Sequence, residues 1–391
     1  MNARLAKNAF DSPLTMPMEP EPMGIGFTDQ QDMMRRLAQD FADRELSTYG
    51  AWPARRDLPV IMQKMHALGL MTIGIPVEYG GTGLDHMAKC LVTEEIARGD
   101  ARAALAMVAS TVLGSGPVFA AGTDEQKRWW YSRELEGSMT AFCLSEHGAN
   151  SSVSPISATC RRERNEYILN GCKYIINYGG EADLLSVFAT LSTPRDRQSR
   201  CAFILDKNTP GISIGAEDPG VNSSSSLPII FKNVRVPVKN RLGQDGDGYK
   251  IAAQSLANSQ VVVAAIGLGM AQGAFEAASR YSIECYQFGK PIFELPGIRF
   301  MLESMAQRIE NGRFLYQVAA FKFDMGLAYD ELASQALAYC SDAASKVLND
   351  AMKIYGAYGY REYPVAKYLC DTRLVRQFLG NCPRVDYGYR R

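Results

Sequence analysis

The stretch YILNGCKYIINY, Tyr167 to Tyr178, decides the reading of the chain. Apolar residues recur with a period near two on both sides of Asn170-Gly171, a dipeptide suited to a two-residue β-turn. The pattern predicts two short strands joined as a hairpin. Moving C-terminally, LLSVFATL, CAFILDK, GISIGA and PIIFKNVRVP follow, each bounded by Gly, Pro, Asn or Ser. Residues 138–241 therefore read as a small antiparallel β domain.

On both sides of this block the period is helical. TDQQDMMRRLAQDFADREL sets Met33, Leu37, Phe41 and Leu46 near one face behind Thr28, which suits an N-cap. LPVIMQKMHALGLMTIG reads as a second helix ending at glycine, EYGGTGLD as a turn, and HMAKCLVTEEIARGDARAALAMVAS as the start of a long helical pair. After the β block, GYKIAAQSLANSQVVVAAIGLGMAQGAFEAASRYSIECYQFG reads as one very long apolar-striped helix that Pro291 helps to end, with further helices beyond. The fold class is α+β: a loose Pro- and Met-rich arm over 1–24, a helical domain over 25–137, the β domain over 138–241 and a helical bundle over 242–391.

Lys plus Arg and Asp plus Glu number 42 each, so no global field draws nucleic acid or a membrane surface. Uninterrupted apolar runs fall short of the roughly 18 residues that a spanning helix needs, and the N-terminal residues lack a secretory apolar stretch. The nine cysteines are scattered without C-x-x-C spacing and read as buried free thiols in a reducing, cytoplasmic setting. Of the three histidines only His147 sits in a loop of functional character, which leaves no metal site or Ser-His-Asp triad in view.

Six phrases in order carry a family resemblance: LGLMTIGIPVEYGGTGLD, FCLSEHGANSS, YILNGCKYIINYGGEADLLSVFA, IFKNVRVPVKNRLGQDGDGYKIA, YQFGKPI and IYGAYGYREYPVAKYLCD. From about Phe27 to Val385 the chain resembles the acyl-CoA dehydrogenase family. The resemblance implies a helical domain, a β domain and a C-terminal four-helix bundle, with FAD bound between the last two. It implies an acyl thioester lying on the flavin, a carboxylate base for the α proton, donors for the thioester oxygen, and hydride transfer to the flavin.

Carried onto this sequence, the resemblance assigns flavin contacts to Leu144, Ser145, Asn150 and Ser151 of the loop and to Ile175 and Asn177 of the next strand. Ile175 stands where the family has tryptophan, and Asn177 offers a donor in place of threonine. Gln287 and Phe288 would come from a neighbouring subunit, behind Cys285 where an arginine normally meets the pyrophosphate. Lys353, Gly356 and Ala357 stand in the family's next motif, and Lys353 is a candidate for the missing positive charge. Asn381 closes the flavin set. Substrate contacts fall on Ser151, Gln260, Phe378, Leu379 and Gly380.

The base is the departure. Leu379 occupies the usual glutamate position, and Ser259, ahead of Gln260, occupies the alternative one on the long helix. Glu146 beside His147 is the remaining proton-transfer candidate. Asp371 resembles one member of a structural ion pair whose arginine is here Cys370. Base, tryptophan, the long-helix arginine that is here Gln260 and the pyrophosphate arginine that is here Cys285 are replaced while turn and core signals persist, so the pattern implies a folded protein with a reworked cleft. Three functions fit: a flavoprotein acting on an acyl-CoA or acyl-carrier-protein thioester by altered chemistry, a non-catalytic subunit of a heteromer with an intact relative, or an FAD-free redox-neutral enzyme or binding protein. A homotetramer or dimer is the expected assembly.

Overall fold

The first helix starts where its sequence says it should. Thr28 Oγ1 accepts the backbone N–H of Gln31 at 3.2 Å, and the Gln31 carboxamide oxygen accepts the N–H of Thr28 at 2.8 Å, a reciprocal cap. The molecule is a computed structural model, and it describes residues 26–46, 58–146, 156–192, 199–215, 226–361, 365–369 and 371–372. The arm over 1–24 lies outside these.

The N-terminal helices are α1 (Asp29–Phe41), α2 (Leu58–Ala67), α3 (His86–Gly99), α4 (Ala101–Val108), α5 (Gly116–Ala121) and α6 (Asp124–Leu135). A π-helical turn, Ala109–Gly114, joins α4 to α5. The phase of α1 differs from the expectation. Met34, Ala38 and Phe41 face the core and Met33 is exposed, because the stripe advances by one position at the N-terminal end.

The middle domain holds β1 (Thr140–Cys143), β2 (Thr159–Glu163), β3 (Glu166–Asn177), β4 (Leu184–Leu191), β5 (Arg200–Asp206), β6 (Ile212–Ile214), β7 (Ser226–Pro237) and β8 (Arg241–Leu242). They form one sheet in the order β6-β7-β3-β2-β4-β5-β8, with β1 also on β4. The sheet is mixed rather than purely antiparallel, since β1 and β2 both run parallel to β4.

Asn170-Gly171 is not a hairpin turn. β3 continues through it, and its register on β7 slips between Leu169 and Gly171. Gly171 has φ +144°, and a Cβ there would lie 2.7 Å from the Ala158 backbone. The Asn170 side chain is tied to Asn233, whose N–H it accepts at 2.8 Å. The dipeptide thus makes a β-bulge. The true turn is Arg164-Asn165, between paired Glu163 and Glu166, with Arg164 at φ +52°.

Both faces of the central strands are buried. Leu184 and Phe188 of β4 join the helical core, while Leu185, Val187 and Ala189 fill a second core inside the β domain. Ala202 and Ile204 of β5 face the helices, and Cys201, Phe203 and Leu205 face the second core. This explains why these strands read as continuous apolar runs.

The C-terminal region holds α7 (Gly248–Glu284), a small hairpin β9 (Tyr286–Gln287) and β10 (Lys290–Pro291), then α8 (Pro296–Asp324), α9 (Asp330–Tyr355) and α10 (Ala357–Arg361). α7 ends seven residues before Pro291, so the proline belongs to the hairpin and does not stop the helix. Three long helices of the expected four are described; residues 365–369 and 371–372 are also helical.

α7 packs closely on α3. A Cβ at Gly269 would stand 2.2 Å from the Glu94 carbonyl oxygen. Across this junction Arg313 of α8 donates to Glu94 at 2.6 and 3.0 Å, and the Tyr316 hydroxyl donates to the same carboxylate. Two stretches, Ala101–Ala121 and Gly248–Glu284, do reach the length and mean hydropathy of a membrane span once polar residues are averaged in. Their apolar windows are 72% and 83% buried within the protein, so the apolar character serves packing. The described cysteines are free. Cys172, on β3, is exposed, unlike the buried thiols expected.

Candidate functional site

β1 delivers its following residues to the flank of β3. The Ser145 carbonyl accepts the N–H of Tyr174 at 2.9 Å, and the Leu144 carbonyl accepts from Lys173 Nζ at 3.2 Å. Leu144 is buried and Ser145 half-buried. Three residues beyond Tyr174, Asn177 ends β3 half-buried, with Ile175 between them on the strand. Tyr178 then turns away at φ +54°, and its hydroxyl donates to the Arg102 carbonyl at 2.9 Å. Leu144, Ser145 and Asn177 thus share one edge of the β domain. His147, Asn150 and Ser151 lie outside the described residues.

Glu146 has a different task from the one the sequence offered. Lys173 Nζ donates to its Oε1 at 2.6 Å, and the N–H groups of Ser157 and Ala158 donate at 2.5 and 3.0 Å. Both side chains are almost wholly buried. Burial alone would raise the Glu146 pKa, but Lys173 and the two amides outweigh it and hold the carboxyl below its ordinary range. A carboxylate with that many donors is a structural anchor, not a base awaiting a proton.

The alternative base position is equally committed. Ser259 is buried in α7, and its hydroxyl donates to the Leu256 carbonyl at 2.7 Å. Gln260 turns toward α9, where its carboxamide oxygen accepts the Ser334 hydroxyl at 2.8 Å. Phe378, Leu379, Gly380 and Asn381 lie outside the described residues.

The remaining expected cofactor residues gather elsewhere. Phe288, at the tip of the β9–β10 turn, is 90% exposed beside exposed Gln287. Lys353 and Gly356 stand at the C-terminal end of α9, and Ala357 opens α10. Tyr355 ties that end to α7, donating to the Ala277 carbonyl at 2.8 Å. Lys353 is exposed and paired with Asp350 at 2.8 Å. The first residue of α7, Gly248, touches the Arg200 backbone of β5. With 37 residues, α7 is about 55 Å long. Gln287, Phe288, Lys353, Gly356 and Ala357 thus gather toward the C-terminal end of this helix, while Leu144, Ser145 and Asn177 belong to the β domain.

Two charged groups near the site escaped the sequence reading. Lys173 is fully buried in an apolar strand, and its signal was a lone lysine within GCKYII. Asp100 caps α4 and holds Arg102 at 3.0 Å and Lys367 at 2.9 Å. Asp371 lies in the same cluster. Its Oδ2 is buried with no hydrogen-bond partner among the described residues, and burial lifts its pKa to about 6 against the pull of Lys367 and Arg102. These two cations supply the field for which Cys370 has no charge.

Three family models match the chain in succession: the acyl-CoA dehydrogenase N-terminal domain over residues 28–138, the middle domain over 141–234 and the C-terminal domain over 246–382. An acyl-CoA dehydrogenase of Bacillus subtilis is 36% identical over 359 residues, spanning 90% of this chain and 95% of the relative. The chain belongs to the acyl-CoA dehydrogenase family. The fold agrees: butyryl-CoA dehydrogenase from Megasphaera elsdenii superposes with a TM-score of 0.85 at 32% identity, covering 92% of this chain and 98% of that one. A prolyl acyl carrier protein oxidase, AnaB, is 25% identical with a TM-score of 0.83, covering 91% and 96%.

Proposed function

We propose that this chain is a flavoprotein that acts on an acyl thioester of coenzyme A or of a carrier protein, by chemistry other than ordinary α,β-dehydrogenation. One observation supports the reading above others. The usual base position holds Leu379, and the two substitutes that the sequence offered are committed elsewhere: Ser259 to Leu256, and Glu146 to Lys173. A proton α to a thioester is weakly acidic and leaves only to a nearby base of matched pKa.

The described residues fit FAD on one condition. Leu144, Ser145 and Asn177 would supply contacts from the β domain, and exposed Gln287 and Phe288, with Gly356, contacts from the C-terminal end of α7. Two copies of the chain would bring unlike halves together around one cofactor. When bound, FAD supplies the capacity to accept or return a hydride. Asn177 would donate to its ring, Leu144 would pack beside it, and the backbone N–H of Leu379 would still be available to a thioester oxygen.

The test is a visible spectrum of the purified protein, followed by anaerobic addition of butyryl-CoA. The expected result is a yellow protein whose flavin absorbance persists with substrate, and a Leu379→Glu variant that is partly bleached. Rapid bleaching of the wild-type protein would mean ordinary desaturation and would overturn the reading. A protein that stays colourless with added FAD would overturn it as well.

A further inference from the structure

Lys89 of α3 sits in the N-terminal domain, apart from the expected cofactor residues, and is half-buried. Its end lies over Gly74, where an added Cβ would stand 1.8 Å from Cε and 2.2 Å from Nζ, so the glycine makes room for the amine. Beside it, between α3, α5 and α6, is a recess of about 60 Å³ with Gly74, Lys89, Val112, Phe119 and Glu134 in its walls. A water needs about 10–15 Å³ of such space, so the recess admits roughly four heavy atoms. Phe119 is 47% exposed, which brings this wall to the surface. We propose that Lys89 is a nucleophile and that the recess captures a short aliphatic aldehyde, with propanal as the prototype, as an imine on Nζ.

The amine has what an imine requires. A lysine attacks a carbonyl only as the free base, and an apolar pocket without a tight counter-ion favours that form. Asp324, Glu134 and Asp85 act on Lys89 through space, and none of them hydrogen-bonds it. Asp324 is engaged instead by the N–H groups of His86 and Met87 at 2.8 and 2.9 Å. Asp85 accepts the N–H of Ala88 at 2.9 Å and the Gln31 carboxamide at 2.6 Å. Burial accordingly lowers the Lys89 pKa from the ordinary lysine value, against the pull of Cys90 and these carboxylates.

The walls point to a neutral ligand. Burial lifts Glu134 to about 8, against hydrogen bonds from Ser115 and Trp130, so it is uncharged at neutral pH. Burial, and then Lys89, lower His86 to about 3, so it is uncharged as well. Ile75, Val112 and Phe119 supply apolar contact. A keto acid would bring a negative charge that a free-base amine cannot balance; a short aldehyde brings none. The step balances without a co-reactant. Nζ adds to the carbonyl carbon, and one N–H proton passes to the oxygen to give a carbinolamine. The second N–H proton leaves with that hydroxyl as water when the C=N bond forms.

The proposal does not rest on the thioester reading, and its readout is mass rather than turnover. The full-length protein, with whatever cofactor it carries, is incubated at neutral pH with propanal and cyanoborohydride. The hydride donor reduces each imine to a stable N-propyl lysine, and peptide mass mapping follows every site. Lys89 should be labelled at least about tenfold faster than exposed Lys250. Its rate should saturate in propanal while that of Lys250 stays proportional. Benzaldehyde, too large for the recess, should label Lys250 and spare Lys89. Gly74→Ala, whose methyl displaces only the flexible end of Lys89, should slow labelling there and leave Lys250 unchanged. Labelling of Lys89 no faster than that of Lys250, or equal labelling by both aldehydes, overturns the site, and these wild-type arms decide it without any variant. Undiminished labelling in a Gly74→Ala protein with a normal melting curve overturns the placement of the amine.

Discussion

Glu146 stands next to His147 in a loop of functional character, yet its carboxylate is consumed by Lys173 and two backbone amides. Removing one member of a buried pair leaves the other charged and unsolvated. Glu146→Ala should therefore cost about 3–5 kcal/mol in urea unfolding at neutral pH. Because the folded-state pKa of Glu146 is depressed, its contribution is complete above the ordinary glutamate range and disappears as pH falls through the lower folded value. The stability gap between wild type and variant should accordingly narrow in acid; a gap independent of pH would count against the ion pair. What the sequence disclosed at this scale depended on locality. Thr28 and its cap span three residues and were legible. Lys173 meets Glu146 from 27 residues away, and no local pattern announces such a partner.

Elements were more legible than their junctions. The change from helical to strand period near residue 138, and the length of α7, both follow from side-chain periodicity. Asn170-Gly171 was misread because the same dipeptide serves a turn or a bulge, and the choice belongs to β7, which pairs along β3 on both sides of it. Pro291 was misread for a similar reason: it lies within the β9–β10 hairpin, and α7 has already ended at Glu284. Glycine spacing in the long helix gave no hint of its partner, yet Gly269 is where α7 approaches α3. Gly269→Ala should force the two helices apart and cost about 1–3 kcal/mol, read as a lowered midpoint of thermal unfolding. An unchanged midpoint would show that α3 yields without penalty.

For the molecule as a whole, the expected cofactor residues divide between the β domain and the C-terminal end of α7. Sequence order could not reveal this division, since it follows from the docking of α9 on α7. Under the proposed sharing of FAD between copies, flavin retention should depend on protein concentration. Dilution should release flavin, seen as rising free-flavin fluorescence, in step with dissociation measured by sedimentation. Release without dissociation would mean that a single copy suffices. α7 also has a mechanical side. It is one unbroken helix, seated on β5 at its start and locked to α9 at Tyr355 near its finish. A rod about 55 Å long that pivots by roughly 2° at one end moves its tip by about 2 Å. Whatever tilts the helix where it meets β5 would therefore be felt as a displacement at its far tip, beyond the tie to Tyr355.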